Sequence, residues 1–173
     1  MSPAHTLPAL NGLDRRAFAE ALGAVFEHSP WVAERAWDQR PFATVAALHA
    51  AMVAVVGAAA TEEQIALLQR HPDLAGKAAR AGALSGHSAV EQISAGLDRL
   101  TDDEHEHFHR LNTAYRQKFG FPFIIAVRRH DKAAILAAFE RRLGHGRGQE
   151  IEAALAQVAE IARLRLEGLV SRA

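Results

Sequence analysis

The run FPFIIAV, residues 121 to 127, is apolar and β-rich in composition, and no second run in the chain looks like a strand to pair with it. A lone strand leaves half of its backbone N–H and C=O groups without partners, so the chain is not expected to organise itself on a sheet. The segment is instead expected to be buried and extended, with its backbone groups satisfied by helix ends, water or a ligand.

The rest of the chain is punctuated as helices. A Pro-containing leader over residues 1 to 12 is expected to be loosely ordered. Phe18, Leu22, Val25 and Phe26 then recur at helical spacing, and Ser29 with Pro30 supplies an N-cap and first helical position for a short helix carrying Trp31 and Trp37. Pro41 separates this from an alanine-rich helix beginning near Val45, which carries His49 and Gly57 and falls short of the ~20 apolar residues of a membrane span. Thr61 with Gln64, Ser88 with Glu91 and Thr101 with Glu104 read as capping boxes, each opening a helix. The helix from Thr101 places Phe108, Leu111, Tyr115 and Phe119 on one stripe and stops at Gly120. Two more are expected, from about Asp131 to Leu143 and from about Gln149 to Val170, joined by GHGRG. The prediction is an all-α bundle of seven or eight helices, folded as a single domain over residues 1–173, with the buried extended segment near residues 121–127.

Composition narrows the functional classes. Lys plus Arg and Asp plus Glu both total 20 in 173 residues, so there is no positive excess to hold a nucleic-acid backbone. The absence of cysteine excludes a disulfide scaffold, a thiol nucleophile and a thiolate zinc site, and it fits a cytoplasmic setting. The N-terminus lacks the basic start and apolar stretch of a secretory signal, and no membrane association is expected.

Several places combine capable side chains with apolar surroundings. In RHPDLAGKAA, residues 70 to 79, Pro72 pushes His71 out of helical geometry and could turn its imidazole to a pocket. Locally the weightier alternative is that Arg70 and His71 complement a helix C-terminus. In SAVEQ, residues 88 to 92, a capping pair explains Ser88 and Glu91 without function, whereas a ligand at the helix start with Glu91 handling a proton is the functional reading. In the last helix the apolar stripe is read as Ile151, Leu155, Val158, Ala162, Leu166 and Leu169, with Arg165 near its centre and Arg163 toward the edge. A guanidinium there needs a buried Asp or Glu, the commoner case, or an anionic ligand. His105 and His109 in EHEHFHR have metal-compatible spacing but none of the other features of a site, so no metal is expected.

Taken in order, FEHSPWVAERAW at 26 to 37, LLQRHPDLAGKAA at 67 to 79, SAVEQISAGLDRL at 88 to 100, FHRLNTAYRQKFGFPFIIAVR at 108 to 128 and IARLRLEGLV at 161 to 170 resemble the 2-oxo-4-hydroxy-4-carboxy-5-ureidoimidazoline (OHCU) decarboxylase family over nearly the whole chain. The resemblance implies an all-α homodimeric enzyme that converts OHCU to (S)-allantoin and carbon dioxide in urate breakdown without a cofactor. It implies that His71, from the His-Pro pair, is the catalytic acid, and that Glu91 and Arg165 are active-site polar groups. It further implies that Pro72, the turn Ser88, Ala89, Val90, Glu91 and Gln92, and the segment Phe123, Ile124, Ile125, Ala126 and Val127 line the substrate. Eukaryotic members are often peroxisomal, whereas SRA is not a convincing peroxisomal tripeptide, so a cytoplasmic setting is expected.

Two other readings compete. A non-catalytic helical module could dock a partner through FPFIIAV and the tryptophan-bearing helix, but it leaves HPD, SAVEQ and the inward Arg165 as coincidences. A metal-dependent hydrolase would use His105 and His109.

Overall fold

The structure, a computed structural model, describes residues 4–171. The chain divides into two compact units, Met1–Arg70 with Ala159–Ala173, and His71–Val158. Unit one contains β1 (His5–Thr6), α1 (Leu7–Gly12), α2 (Arg15–Leu22), α3 (Trp31–Ala36), a 3-10 turn (Trp37–Gln39), α4 (Val45–Ala58) and α5 (Thr61–Gln69). Unit two contains α6 (Lys77–Arg80), α7 (Gly86–Ser94), α8 (Asp102–Phe119), a 3-10 turn (Val127–Arg129) and α9 (Lys132–Leu143). The long α10 (Arg147–Leu169) belongs to unit two as far as Val158 and to unit one from Ala159, and β2 (Val170–Ser171) ends the described chain. The protein is all-α: among the described residues the only sheet is the parallel two-residue pairing of β1 with β2, His5 opposite Val170 and Thr6 opposite Ser171.

Of the ten α-helices among the described residues, eight lie where the sequence signals placed helices, and α1 and α6 are additional. α1 falls inside the stretch expected as a loose leader, of which residues 1–3 lie outside the described residues. Its order has a local cause and a tertiary one. Thr6 caps the helix, accepting the Ala9 N–H at 3.3 Å, and Pro8 sits in the first turn, where its missing N–H costs nothing. Leu7 and Leu10 are buried, and Asn11 exchanges two hydrogen bonds with the Phe42 backbone at 2.9 and 2.8 Å. Arg40 then holds the carbonyls of Asn11 and Leu13 at 2.6 and 2.9 Å while its guanidinium lies 3.9 Å from the Trp37 ring centroid.

Three helix starts differ from their sequence signals. α3 begins at Trp31, and the Ser29 hydroxyl donates to the Glu27 carbonyl rather than capping it. α5 is capped one residue early, with the Ala60 N–H donating to Glu63 at 3.3 Å, while Gln64 donates instead to the Val56 carbonyl. α7 is capped by Ser85, which accepts the Ser88 N–H at 3.3 Å, so Ser88 lies inside the helix. The Thr101 and Glu104 box at α8 forms as expected, at 3.2 and 2.8 Å.

α8 stops at Gly120, whose φ of 81° is left-handed and suits glycine. The segment 121–127 that follows is buried throughout and, until its last residue, lies outside regular structure. Its backbone partners are side chains: Arg142 of α9 donates to the Ile124 carbonyl at 2.7 Å, and the Ala126 N–H donates to Gln157 of α10 at 3.0 Å. Phe123 stacks on Phe139 with centroids 3.9 Å apart, anchoring the segment in an aromatic cluster with Tyr115. Replacing Leu10, which is 0% exposed, by Ala is expected to lower unfolding stability by about 2–5 kcal/mol. An unchanged urea midpoint would show that α1 carries no packing weight.

Candidate active site

α5 ends with Arg70 exposed at its C-cap, while His71 is 7% exposed at the head of unit two. The loop after it is an unusual piece of backbone. Ala75 has a φ of 51°, and a Cβ on Gly76 would meet the Asp73 Cβ at 2.9 Å. A left-handed L-residue costs about 1–2 kcal/mol, so other contacts must hold this shape. Gln92 of α7 accepts the Ala75 N–H at 3.0 Å and donates to the Asp73 carbonyl at 3.3 Å. From α8, Asn112 donates to the Leu74 carbonyl at 2.9 Å and Arg116 donates to the Asp73 carboxylate at 2.8 Å.

Ser85 rather than Ser88 caps α7, so Ser88 and Glu91 both lie within the helix. Ser88 and Gln92 are buried and Ala89 and Glu91 half-buried, but Val90 is 66% exposed and is not brought to the same face. α7 packs on the 3-10 turn Val127–Arg129. α7 thus touches the loop after His71 through Gln92 and also packs on the end of the segment Phe123 to Val127, all five of whose residues are buried.

That segment rests on a group the sequence reading missed. Glu150, completely buried, accepts from Tyr115 and from Arg142 Nε, each at 2.6 Å, and faces His145 Nδ1 at 2.9 Å. Burial, then the bond to Glu150, holds the Tyr115 phenol well above its usual range, so it is a neutral donor.

In unit one, Arg165 meets the first of its two expected partners, a buried carboxylate. Its Nη1 lies 2.9 Å from Glu27 Oε2, with both side chains 2% exposed, and donates to the Ala24 carbonyl at 3.1 Å. Arg163 sits at the partly exposed edge, paired with Glu160 and Glu167. The buried stripe of α10 is Ala154, Val158, Ile161, Ala162, Arg165 and Leu166, continuous with Glu150; Ile151, Leu155 and Leu169, placed on it by the sequence reading, are only half-buried. This rotation puts Glu150 and Arg165 on the apolar face.

His105 and His109 border a cleft of about 640 Å³ in unit two, together with Pro72, Lys77, Arg80 and Arg116. Asp73, Asp102 and Glu106 line it as well, and no group of three or more side chains that could hold a metal ion occurs among the described residues. A second cavity of about 500 Å³, in unit one, is lined by Leu7, Asn11, Phe42, His49 and Leu166, none of which the sequence reading singled out as a site residue.

The family model for OHCU decarboxylase matches residues 11–167. This chain belongs to that family. It is 47% identical over 161 residues to the 2-oxo-4-hydroxy-4-carboxy-5-ureidoimidazoline decarboxylase of Haloferax volcanii, covering 93% of this chain and 94% of that protein. A crystal structure of (S)-allantoin synthase is similar at a TM-score of 0.76 and 36% identity, over 95% of this chain and 54% of that one. A crystal structure of OHCU decarboxylase in the presence of (S)-allantoin shares the fold, with a TM-score of 0.66 at 17% identity over 89% of this chain and 96% of that one.

For this OHCU decarboxylase family member, the residues missed by sequence reasoning are Glu27, Asn112, Arg142 and Glu150. Arg142 was within reach, since it continues the buried positions Ile135, Ala138 and Phe139 at helical spacing, as Arg165 does on its own helix. Gln92, with both amide atoms on the loop, is a bracing group. Gln92→Ala is expected to lower stability by about 1–3 kcal/mol by stranding the buried Ala75 N–H. Denaturant unfolding reads this, and parental stability would show that the loop holds its shape without Gln92.

Proposed function

We propose that the chain is a carboxy-lyase that decarboxylates OHCU to (S)-allantoin and carbon dioxide in urate degradation, with His71 and Glu91 managing the protons. The observation that carries this reading is the buried His71 at the head of a loop that Gln92 fastens to the helix turn bearing Ser88 and Glu91. Family membership and the likeness to an OHCU decarboxylase and to an (S)-allantoin synthase support the substrate class. Because the family match runs through both units, residues 1–173 are read as one OHCU decarboxylase-like domain.

The chemistry needs few groups. Loss of carbon dioxide leaves an electron pair, for which many decarboxylases employ a cofactor. In OHCU the carbon bearing the carboxylate and hydroxyl adjoins a carbon–nitrogen double bond, so the pair forms a carbon–carbon double bond while the C=N electrons move to the ring nitrogen, which takes a proton from solvent. The resulting enol-like intermediate becomes allantoin when its hydroxyl proton is lost and the neighbouring ring carbon is protonated. His71, oriented by Glu91, takes the first proton and delivers one to a single face, which sets the S configuration.

Pro72, Ser88, Ala89 and the segment Phe123 to Val127 bound the substrate in this reading, and Phe123 and Ile125 offer apolar surface to the departing carboxylate. Arg165 enters with its charge already balanced by Glu27. It offers hydrogen-bond donors rather than net positive charge, which would hold the carboxylate in the ground state more than in the transition state. The exposed Val90 and Ile93, one helical turn apart, are apolar surface that a second copy would cover in a homodimer. No single helix among the described residues is long and apolar enough to cross a membrane, and a chain without cysteine suits the cytoplasm.

The test is to generate OHCU from urate enzymatically and follow the optical activity of the allantoin formed, since unaided decay gives racemate. The parent protein is expected to yield (S)-allantoin. His71→Asn is expected to keep the parental far-UV spectrum while losing about 10²–10⁴-fold in rate and giving racemic product. A near-parental rate from that variant would contradict the assignment.

A further inference from the structure

Four side chains behind Phe123 and Ile124 form a polar cluster that the proposed reaction does not use. Glu150 Oε1 accepts from Arg142 Nε and from the Tyr115 hydroxyl, and its Oε2 faces His145 Nδ1. Arg142 also donates Nη1–H to the Ile124 carbonyl at 2.7 Å, and its guanidinium lies 4.4 Å from the Phe123 ring centroid. Phe123 in turn stacks on Phe139, with planes 10° apart, and meets Tyr115 edge-on at 5.5 Å.

Such a cluster is an inefficient way to stabilise a core. Desolvation of two ions offsets most of their attraction, and apolar groups of similar volume commonly serve as well. Arg142 moreover leaves its Nη2 buried without a hydrogen-bond partner among the described residues. What apolar groups cannot do is fix a carbonyl and a ring at once. The guanidinium fork does both here, holding Ile124 by its backbone and Phe123 by its face, in a segment with no neighbouring strand. Glu150 keeps that fork in place by taking Nε, and Tyr115 and His145 keep Glu150 in place.

We propose that Arg142, oriented by Glu150, is a positioning residue that sets where Phe123 and Ile124 present themselves to the substrate, and thereby governs substrate affinity and the handedness of the product. This rests on the reading that residues 123–127 line the substrate. A lysine at 142 would keep the charge opposite Glu150, but a single ammonium cannot reproduce the fork.

Two variants separate positioning from stability. Arg142→Lys keeps the charge and breaks the geometry. The combination Tyr115→Phe, Arg142→Met and Glu150→Leu removes every charge and donor from the pair while roughly preserving volume. Both are expected to retain the parental far-UV spectrum and a cooperative thermal transition. With OHCU generated from urate, both are expected to raise KM about tenfold or more with a smaller change in kcat, and to lower the enantiomeric excess of the allantoin. Ile125→Val, which alters a lining side chain outside the cluster, is measured alongside. Parental KM and enantiomeric excess in both cluster variants, with KM shifted by Ile125→Val, overturns the positioning role alone. Parental values in all three overturn the lining reading and the positioning role together. If the triple variant does not fold, Arg142→Lys decides the matter by the same readouts.

Discussion

The amide of Gln92 is the contact on which the geometry of unit two depends, because it satisfies two backbone groups of a loop that forms no regular structure of its own. With Ala75 in a left-handed conformation and Gly76 pressed against Asp73, the stretch after His71 has a backbone that solvent alone would not select. Gln92 accepts from Ala75 and donates to Asp73, so one side chain ties the helix that carries Ser88 and Glu91 to the loop that follows His71, which Asn112 and Arg116 also hold. Gln157 does the corresponding service for the extended segment, accepting the Ala126 N–H. An all-α protein has no ladder to offer irregular backbone, and here side chains from neighbouring helices replace it.

Charge is handled with the same economy. Among the described residues the buried arginines are Arg142 and Arg165 and the buried glutamates are Glu27 and Glu150, matched one to one. Each pair is neutral as a whole yet still presents guanidinium donors. In the proposed reaction that distinction would matter at Arg165, since an unbalanced cation would grip a carboxylate that has to leave. The exposed ion pairs, such as Arg16 with Glu20 and Arg35 with Glu63, contribute little beyond solubility.

Most of the fold was legible because helix boundaries are local events. Thr101 with Glu104, Asp131 before α9 and Gly120 after α8 act within one turn of chain, and each does what its sequence position suggests. The failures have equally local or clearly tertiary causes. Ser88 looked like a cap because Glu91 stands three residues on, but Ser85 competes for the same role and wins, which leaves Ser88 buried. The leader hid a cap of its own, Thr6 before Leu-Pro, and its order is completed by Asn11 and Arg40 contacts between residues about thirty apart, which no local signal announces. The order of the motifs identified the family, whereas the buried partners, Glu27 for Arg165 and Glu150 for Arg142, required the packing. A polar residue on an apolar stripe says that a partner exists without saying where it sits.

Glutamine side chains serve as hydrogen-bond partners for backbone that no strand reaches, and amide hydrogen exchange of the native protein resolved residue by residue measures this directly. The Ala75 and Ala126 amides are predicted to exchange slowly, within about tenfold of the amides at the centre of α8. Exchange of both at the rate of open loop would contradict it, because the loop of His71 and the segment of Phe123 would then have no fixed shape to present to a substrate.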